Sequence, residues 1–309
     1  MFYGLNGVFM EYKYKLTIAL ITMDRAEQLK LAIESCVASL LPENTQFVVV
    51  DNASSDNTAE VVDEIKKSIK YDLVYHKEEI NQGVGGGRNI CFSLAEGEYV
   101  YFFDDDAEIP AQLYGTFFVS SVDYLDNNPK VALLTTEIED SVFGERKLVT
   151  ARNKIIDGLR CSYTFHGGTV FARKKCFEEP MFMNIMYGNE EIAVSMGALD
   201  RGYYSVFLSD MYILHNPKVD KWRGRDLDRL NMQSINNTYA IKTMLYPGVM
   251  RPILYMAYKQ RLKKFNINKS DLIKEFKQKR KEFCKKNHAK KIRISTVISA
   301  YREFGLTVF

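Results

Sequence analysis

Asp104, Asp105 and Asp106 follow directly on the apolar run Tyr99-Val100-Tyr101-Phe102-Phe103, so three carboxylates stand at the exit of a buried strand. Adjacent like charges repel and raise one another's pKa. In an open α/β sheet the carboxyl ends of the strands are also where ligands bind. A hard divalent cation, Mn²⁺ or Mg²⁺, carrying substrate phosphates resolves the repulsion, because it prefers carboxylate and phosphate oxygens. A solvated acidic turn would leave the same triplet in the sequence, and the neighbouring motifs decide between the two.

Asp51 ends a second apolar run, Phe47-Val48-Val49-Val50. At the nucleotide end of such a sheet its carboxylate could accept the N3–H of a uracil or thymine, which cytosine lacks. UDP or dTDP donors are thus expected ahead of GDP or CDP. The alternative is that Asp51 only opens the turn Asn52-Ala53-Ser54-Ser55-Asp56. Gly83-Val84-Gly85-Gly86-Gly87-Arg88-Asn89 precedes a helix and lets backbone approach a ligand closely, with Arg88 able to counter phosphate charge. It is a poor dinucleotide fingerprint, since the first strand-to-helix turn, near Thr22 and Arg25, lacks glycine.

In order along the chain, Thr22-Met23-Asp24-Arg25, Val50-Asp51-Asn52-Ala53-Ser54-Ser55-Asp56, Asn81-Gln82-Gly83 with Gly87-Arg88-Asn89, and Phe103-Asp104-Asp105-Asp106 resemble the inverting family-two glycosyltransferases. The resemblance covers roughly residues 14–217, and the order and spacing of the motifs carry it. It implies a single nucleotide-sugar-binding α/β domain of the glycosyltransferase A type. It also implies a D-x-D pair, mapped onto Asp104 and Asp106, with the first near the ribose or sugar and the last on the metal. The donor site implied by the same motifs comprises Thr22, Asp24, Arg25, Asp51, Asn81, Gly83, Arg88, Asp104 and Asp105. The family's acidic pair opening a helix that ends in Gly-aromatic is matched by Glu190-Glu191 with Gly202-Tyr203. The usual second member is aspartate, so either Glu190 or Glu191 is the implied base. His215 resembles the late histidine by which several members complete the metal shell. Trp222 and Arg223 lie where an acceptor-side loop is expected, although a lone tryptophan also serves packing.

What the resemblance implies is inverting sugar transfer: Glu191 takes the proton from an acceptor hydroxyl as that oxygen attacks the anomeric carbon. Metal at Asp106 and His215, aided by Arg88, holds the charge developing on the nucleoside diphosphate. A nucleotide-sugar pyrophosphorylase would want a Gly-rich basic loop after the first strand, which Thr22-Met23-Asp24-Arg25 does not supply. A non-catalytic sugar-nucleotide-binding module is the other alternative.

These residues need a scaffold that brings strand ends together. Residues 16–22, 47–50, 73–76 and 99–103 are short apolar runs of the kind buried in a parallel sheet, and helical spacing separates them. Such alternation predicts a doubly wound, mostly parallel sheet. Beyond the aspartates, residues 111–127 read as a helix, 131–135 and 167–173 as strands, 189–201 as a helix ended by Gly202, and 203–208 and 211–214 as two strands.

At 309 residues the chain can bury a full core. Its charge divides sharply: residues 1–218 hold 20 Lys+Arg against 32 Asp+Glu, and residues 219–309 hold 22 against 7. The expected organisation is an N-terminal extension (1–13), a catalytic domain (14–218) and a basic helical region (219–309). The basic region calls for an anionic partner: a membrane surface or, as a helical cap, the acidic body of this chain or of a second subunit in a homo-oligomer. Nucleic acid is not expected, because the basic run lies outside the body and is not laid along a recognisable binding fold. Five cysteines without a C-x-x-C pair read as reduced packing residues. The N-terminus is a poor signal peptide and no apolar stretch approaches ~18–20 residues. A cytoplasmic protein, peripheral on the inner face of the membrane and acting on a glycan or lipid-linked acceptor, is therefore expected.

Overall fold

The computed structural model describes residues 11–141, 145–147, 154–217, 227–263, 280–287 and 289–309. One mixed sheet organises it. Strand β1 (Tyr14–Thr22) lies between β2 (Thr45–Asp51) and β4 (Gly97–Asp104), with β3 (Asp72–Lys77) outside β2, and these four run parallel. Helices α1 (Ala26–Ala38), α2 (Thr58–Ser68) and α3 (Gly83–Leu94) make the crossovers. The strands are buried on both faces, so alternate residues feed two cores. Ile18, Leu20, Phe47, Val49, Tyr101 and Phe103 enter one, whereas Ala19, Val48, Val50, Val100 and Phe102 enter the other. This is why they read as continuous apolar runs rather than as alternation.

Past β4 the sheet changes character. A two-residue strand, β5 (Ala107–Glu108), precedes α4 (Phe117–Asn127) and β6 (Val131–Asp140). Strand β7 (Glu145–Lys147) pairs with β6, and β8 (Lys154–Ile156) and β9 (Leu159–Cys161) form a hairpin. β10 (Thr169–Arg173) runs antiparallel between β4 and β6, and β11 (Tyr204–His215) lies parallel to β6. The remaining helices are α5 (Glu191–Asp200), α6 (Leu227–Leu245), α7 (Arg251–Leu262) and α8 (Ile294–Phe304).

Several expected elements differ in detail. The helix expected over 111–127 is a 3-10 turn at Ala111–Leu113 followed by α4 from Phe117. The two strands expected at 203–208 and 211–214 are one, β11, whose register against β6 shifts between Leu208 and Tyr212. That bulge resets which side chains face the site. Across the boundary expected at residue 218 the charge changes sign, but the apolar core is continuous. Ile241, Leu245, Leu254, Val297 and Phe304 of the C-terminal helices share one cluster with Phe103, Ile185 and Met196. Of the five cysteines, Cys36, Cys91, Cys161 and Cys176 are buried free thiols and Cys284 is exposed.

Candidate functional site

The register aligns the site. Thr22 pairs with Asp51, Ile21 with Asp104, and Phe103 with Thr169, so the ends of β1, β2 and β4 meet the loop before β10 at one edge of the sheet. At the far side, β5 pairs with the end of β11, placing His215 opposite Ala107. Asn216 N–H donates to the Asp106 carbonyl at 2.7 Å, closing that junction.

Each aspartate of the triplet has a cationic side chain near it. Arg25 Nη1 donates to Asp105 at 2.9 Å and to Asp106 at 2.7 Å. Arg88 Nη2 reaches Asp104 at 3.3 Å, and His215 Nε2 lies 3.4 Å from Asp106. These groups answer the repulsion that the sequence left open. Asp105 is buried, accepts from the Thr22 hydroxyl at 2.8 Å, and ties β1 to the aspartate turn. Burial pushes its carboxyl up to about 7 against the pull of Arg25. Burial also works against charge on Asp106, yet His215 and Arg25 hold its carboxyl below the usual range. His215 in turn, despite partial burial, is raised to about 9 by the Asp106 carboxylate, with Asp104 and Asp140 behind it.

Asp104, Asp106 and His215 each offer a ligand atom, and these atoms lie within 4.8 Å of one another. Two carboxylate oxygens and an imidazole suit Mn²⁺, and less selectively Mg²⁺. Asp140, which the sequence did not single out, lies 3.3 Å from His215 Nδ1 and so fixes the ring with Nε2 toward Asp106. This is the carboxylate–histidine arrangement that supports metal ligands.

One guanidinium joins the aspartate edge to the acidic pair. Arg88, only 6% exposed, donates through Nη1 to Glu190 Oε1 at 2.5 Å while Nη2 faces Asp104. Its position depends on two glycines. A Cβ at Gly167 would stand 2.1 Å from Arg88 Nη1, and one at Gly168 would stand 1.9 Å from Asp104 Oδ2. The expected contact of Arg88 with phosphate thus meets a side chain already committed to two carboxylates. Glu190 is 3% exposed and its Oε2 has no hydrogen-bond partner among the described residues. Next to it, burial and the Glu190 charge push the Glu191 carboxyl up to about 8 against the pull of Arg88.

The remaining sequence candidates divide. Asp51 is fully buried, with Oδ1 accepting from Ser54 N–H at 2.6 Å and Oδ2 from the Tyr75 hydroxyl at 2.6 Å. Both oxygens thus hold the turn and the Tyr75 hydroxyl, and each keeps a second lone pair with which it could accept from a base N–H. Asp24 accepts from Ser55 N–H at 2.7 Å and braces the same turn. Asn81, one residue before the Gln82 N-cap of α3, accepts from Gly83 N–H at 2.7 Å. The helix begins at Gly83, so the glycine run expected to precede it forms its first turns. Thr22 and Arg25 act on Asp105 and Asp106 as described. Trp222 and Arg223 lie outside the described residues.

A model of the glycosyl transferase family 2 matches residues 17–176, just over half the chain. The chain belongs to the family-two glycosyltransferases. Among curated relatives, a GalNAc(5)-diNAcBac-PP-undecaprenol beta-1,3-glucosyltransferase of Campylobacter jejuni is 35% identical over 98 residues, 31% of this chain and 30% of the relative. The uncharacterized glycosyltransferase YibD of Escherichia coli is 22% identical over 254 residues, 72% of each chain. The alignments to the C. jejuni enzyme and the other first relatives span 16–45% of those proteins. Among solved structures, S. aureus TarS 1–349 in complex with UDP-GlcNAc aligns with a TM-score of 0.58 at 17% identity, over 74% of this chain and 66% of that one. GalNAc-T7 with UDP, GalNAc and Mn²⁺ aligns at 0.63 and 14% identity, over 93% and 58%. These structural likenesses show a shared fold.

Proposed function

We propose that this chain transfers a sugar, with inversion at the anomeric carbon, from a nucleoside-diphosphate sugar to an acceptor hydroxyl in bacterial polysaccharide or glycoconjugate assembly. The observation that carries the reading is the Arg88 bridge, which sets the Asp104–Asp106–His215 cluster within one side chain of the Glu190–Glu191 pair. Asp104, Asp106 and His215 would hold a divalent ion, which would supply positive charge to the departing diphosphate. Glu191 accepts the proton of the attacking hydroxyl, the new bond to the anomeric carbon forms on the face opposite the diphosphate, and the old bond breaks with its electrons on the diphosphate. Glu190 and Arg88 hold the geometry.

Thermal-shift measurement with Mn²⁺ against UDP-, dTDP- and GDP-sugars tests the reading. A ligand at ~100 Kd adds ~2.7 kcal/mol of apparent stability, so the cognate nucleotide stands out. With the Asp51 carboxylate buried, the panel decides the base; a chain indifferent to all three sugar nucleotides would refute the proposal.

The acceptor is proposed to be a glycan, lipid-linked or protein-linked, met at an anionic membrane surface. Among the described residues no helix is long and apolar enough to cross a bilayer. Around α7, however, Val249 is 70% and Met256 63% exposed, with Tyr255 between them and Arg251, Lys259 and Lys263 alongside. Apolar and aromatic groups flanked by cations fit a lipid headgroup region. Flotation with anionic liposomes at low salt should carry the protein upward and lose it at high salt. Failure to float at low salt ends the membrane assignment, and a concentration-dependent dimer would point to a second copy instead.

A further inference from the structure

Residues 181–190 form a strap with neither helix nor strand that runs from the donor-side helix α3 to the acid pair. Chain of this kind cannot satisfy its own backbone, so partners must come from outside. They come from two sides. On the α3 side, Asn89 accepts from Phe182 N–H at 2.7 Å and donates to the Phe182 carbonyl at 2.9 Å. The N–H groups of Val84 and Gly85, in the first turn of α3, donate to the carbonyls of Met186 and Ile185 at 3.2 and 3.1 Å.

The C-terminal side repeats the device. Asn287 accepts from Asn184 N–H at 2.7 Å and donates to the Asn184 carbonyl at 3.4 Å. Asn237, on α6, donates to the carbonyls of Tyr187 and Gly188 at 2.9 and 3.2 Å. Asn189 then donates to the Ser234 carbonyl, also on α6, at 3.0 Å. Gly188 and Asn189 both adopt left-handed backbone, φ +91° and +70°, which turns the chain into Glu190 at the start of α5. The strap therefore has two rails, one on the donor-side helix and one on the C-terminal helices.

We infer that Asn237 and Asn287 are positioning residues for sugar transfer, fixing the Glu190–Glu191 pair against the donor-side helix through the 184–189 strap. The inference rests on the functional reading above, since it assigns the pair to the chemistry. It makes the C-terminal region part of the transfer machinery. Among the described residues the hydrogen bonds of Asn237 and Asn287 go to the strap and to Phe283, so losing them should move the acid pair while sparing the diphosphate side. A displacement of about 1 Å can lower a rate by about 10²-fold.

The test uses the full chain with Asn237→Leu, Asn287→Leu and the conservative Asn287→Asp. Turnover is read as UDP release from a UDP-sugar, nucleotide affinity with UDP and Mn²⁺, and strap order by hydrogen exchange of residues 182–190. Both leucine variants should lose on the order of 10- to 100-fold in turnover, with UDP affinity unchanged and exchange in the strap accelerated. Asn287→Asp keeps the acceptor for Asn184 N–H and should fall in between. Wild-type turnover in both leucine variants, unchanged exchange, or turnover and UDP affinity falling in parallel would each overturn the inference. A wild-type chain inactive toward every nucleotide sugar would count against the functional reading, and the exchange result would still decide whether the two asparagines hold the strap.

Discussion

Glu191→Gln lowers turnover by about 10²–10⁴-fold while the protein still binds nucleotide and becomes more stable. The two effects come from one cause. In the folded chain, burial and the adjacent Glu190 carboxylate push Glu191 up to about 8 from an ordinary 4.5, against the pull of Arg88. An acid whose folded pKa exceeds its unfolded one keeps its proton in the native state where the unfolded chain has lost it. Below pH 4.5 Glu191 is neutral in both states and costs nothing. Between 4.5 and 8 the wild type loses stability as pH rises, by on the order of a few kcal/mol, and glutamine removes that loss. The stabilisation of the variant should therefore be small at pH 4, grow through neutrality and level off above 8. Activity should show the opposite sign: a base that must be ionised gives wild-type kcat/KM rising with pH toward a plateau above about 8. Urea melts at three pH values, with a pH–rate profile, check both halves. A Glu191→Gln enzyme that turns over normally while binding donor would remove Glu191 from the chemistry and leave Glu190 as the base.

Asp106→Asn should reduce turnover at least as far. Asp106 accepts from Arg25 at 2.7 Å and lies 3.4 Å from His215, so the substitution deletes the carboxylate that both cations share. In the wild type, chelation should abolish turnover and added Mn²⁺ restore it. The variant should stay inactive at Mn²⁺ concentrations that saturate the wild type, and Mn²⁺ titration followed by electron paramagnetic resonance should show weakened binding. Asp140→Asn is a milder version: it leaves the ligands in place and loosens only the His215 ring, so metal affinity should fall by ~10–100-fold. Equal metal affinity in all three proteins would place the ion elsewhere.

Thr22, Asp51 and Asp104 were legible because each ends an apolar run, and parallel strands buried on both faces leave such runs intact in the sequence. What those ends do was less legible. Asp51 and Asp105 carry the residue type of a ligand contact, and their carboxylates also bind Ser54, Tyr75, Thr22 and Arg25. Hydrogen-bond partners across the sheet leave no periodic trace. The pairing of His215 with Asp140 depends on a bulge in β11, and the two-residue β5 that seats it is too short to signal itself. Arg88 was visible as a cation near glycines, yet its span from Asp104 to Glu190 follows from room left at Gly167 and Gly168, which periodicity cannot report. The strap was silent for a related reason: much of its order comes from Asn89, Asn237 and Asn287, far from it along the chain.

The most direct test of transfer by a base across from the metal-bound diphosphate is the configuration of the first product. Proton NMR of an α-linked UDP-sugar turning over with Mn²⁺, with water or the natural acceptor as nucleophile, resolves the anomeric signal before mutarotation. The account predicts that the β anomer appears first and that Glu191→Gln suppresses it. An α product formed first would contradict single displacement, and with it the role given to the Glu190–Glu191 pair.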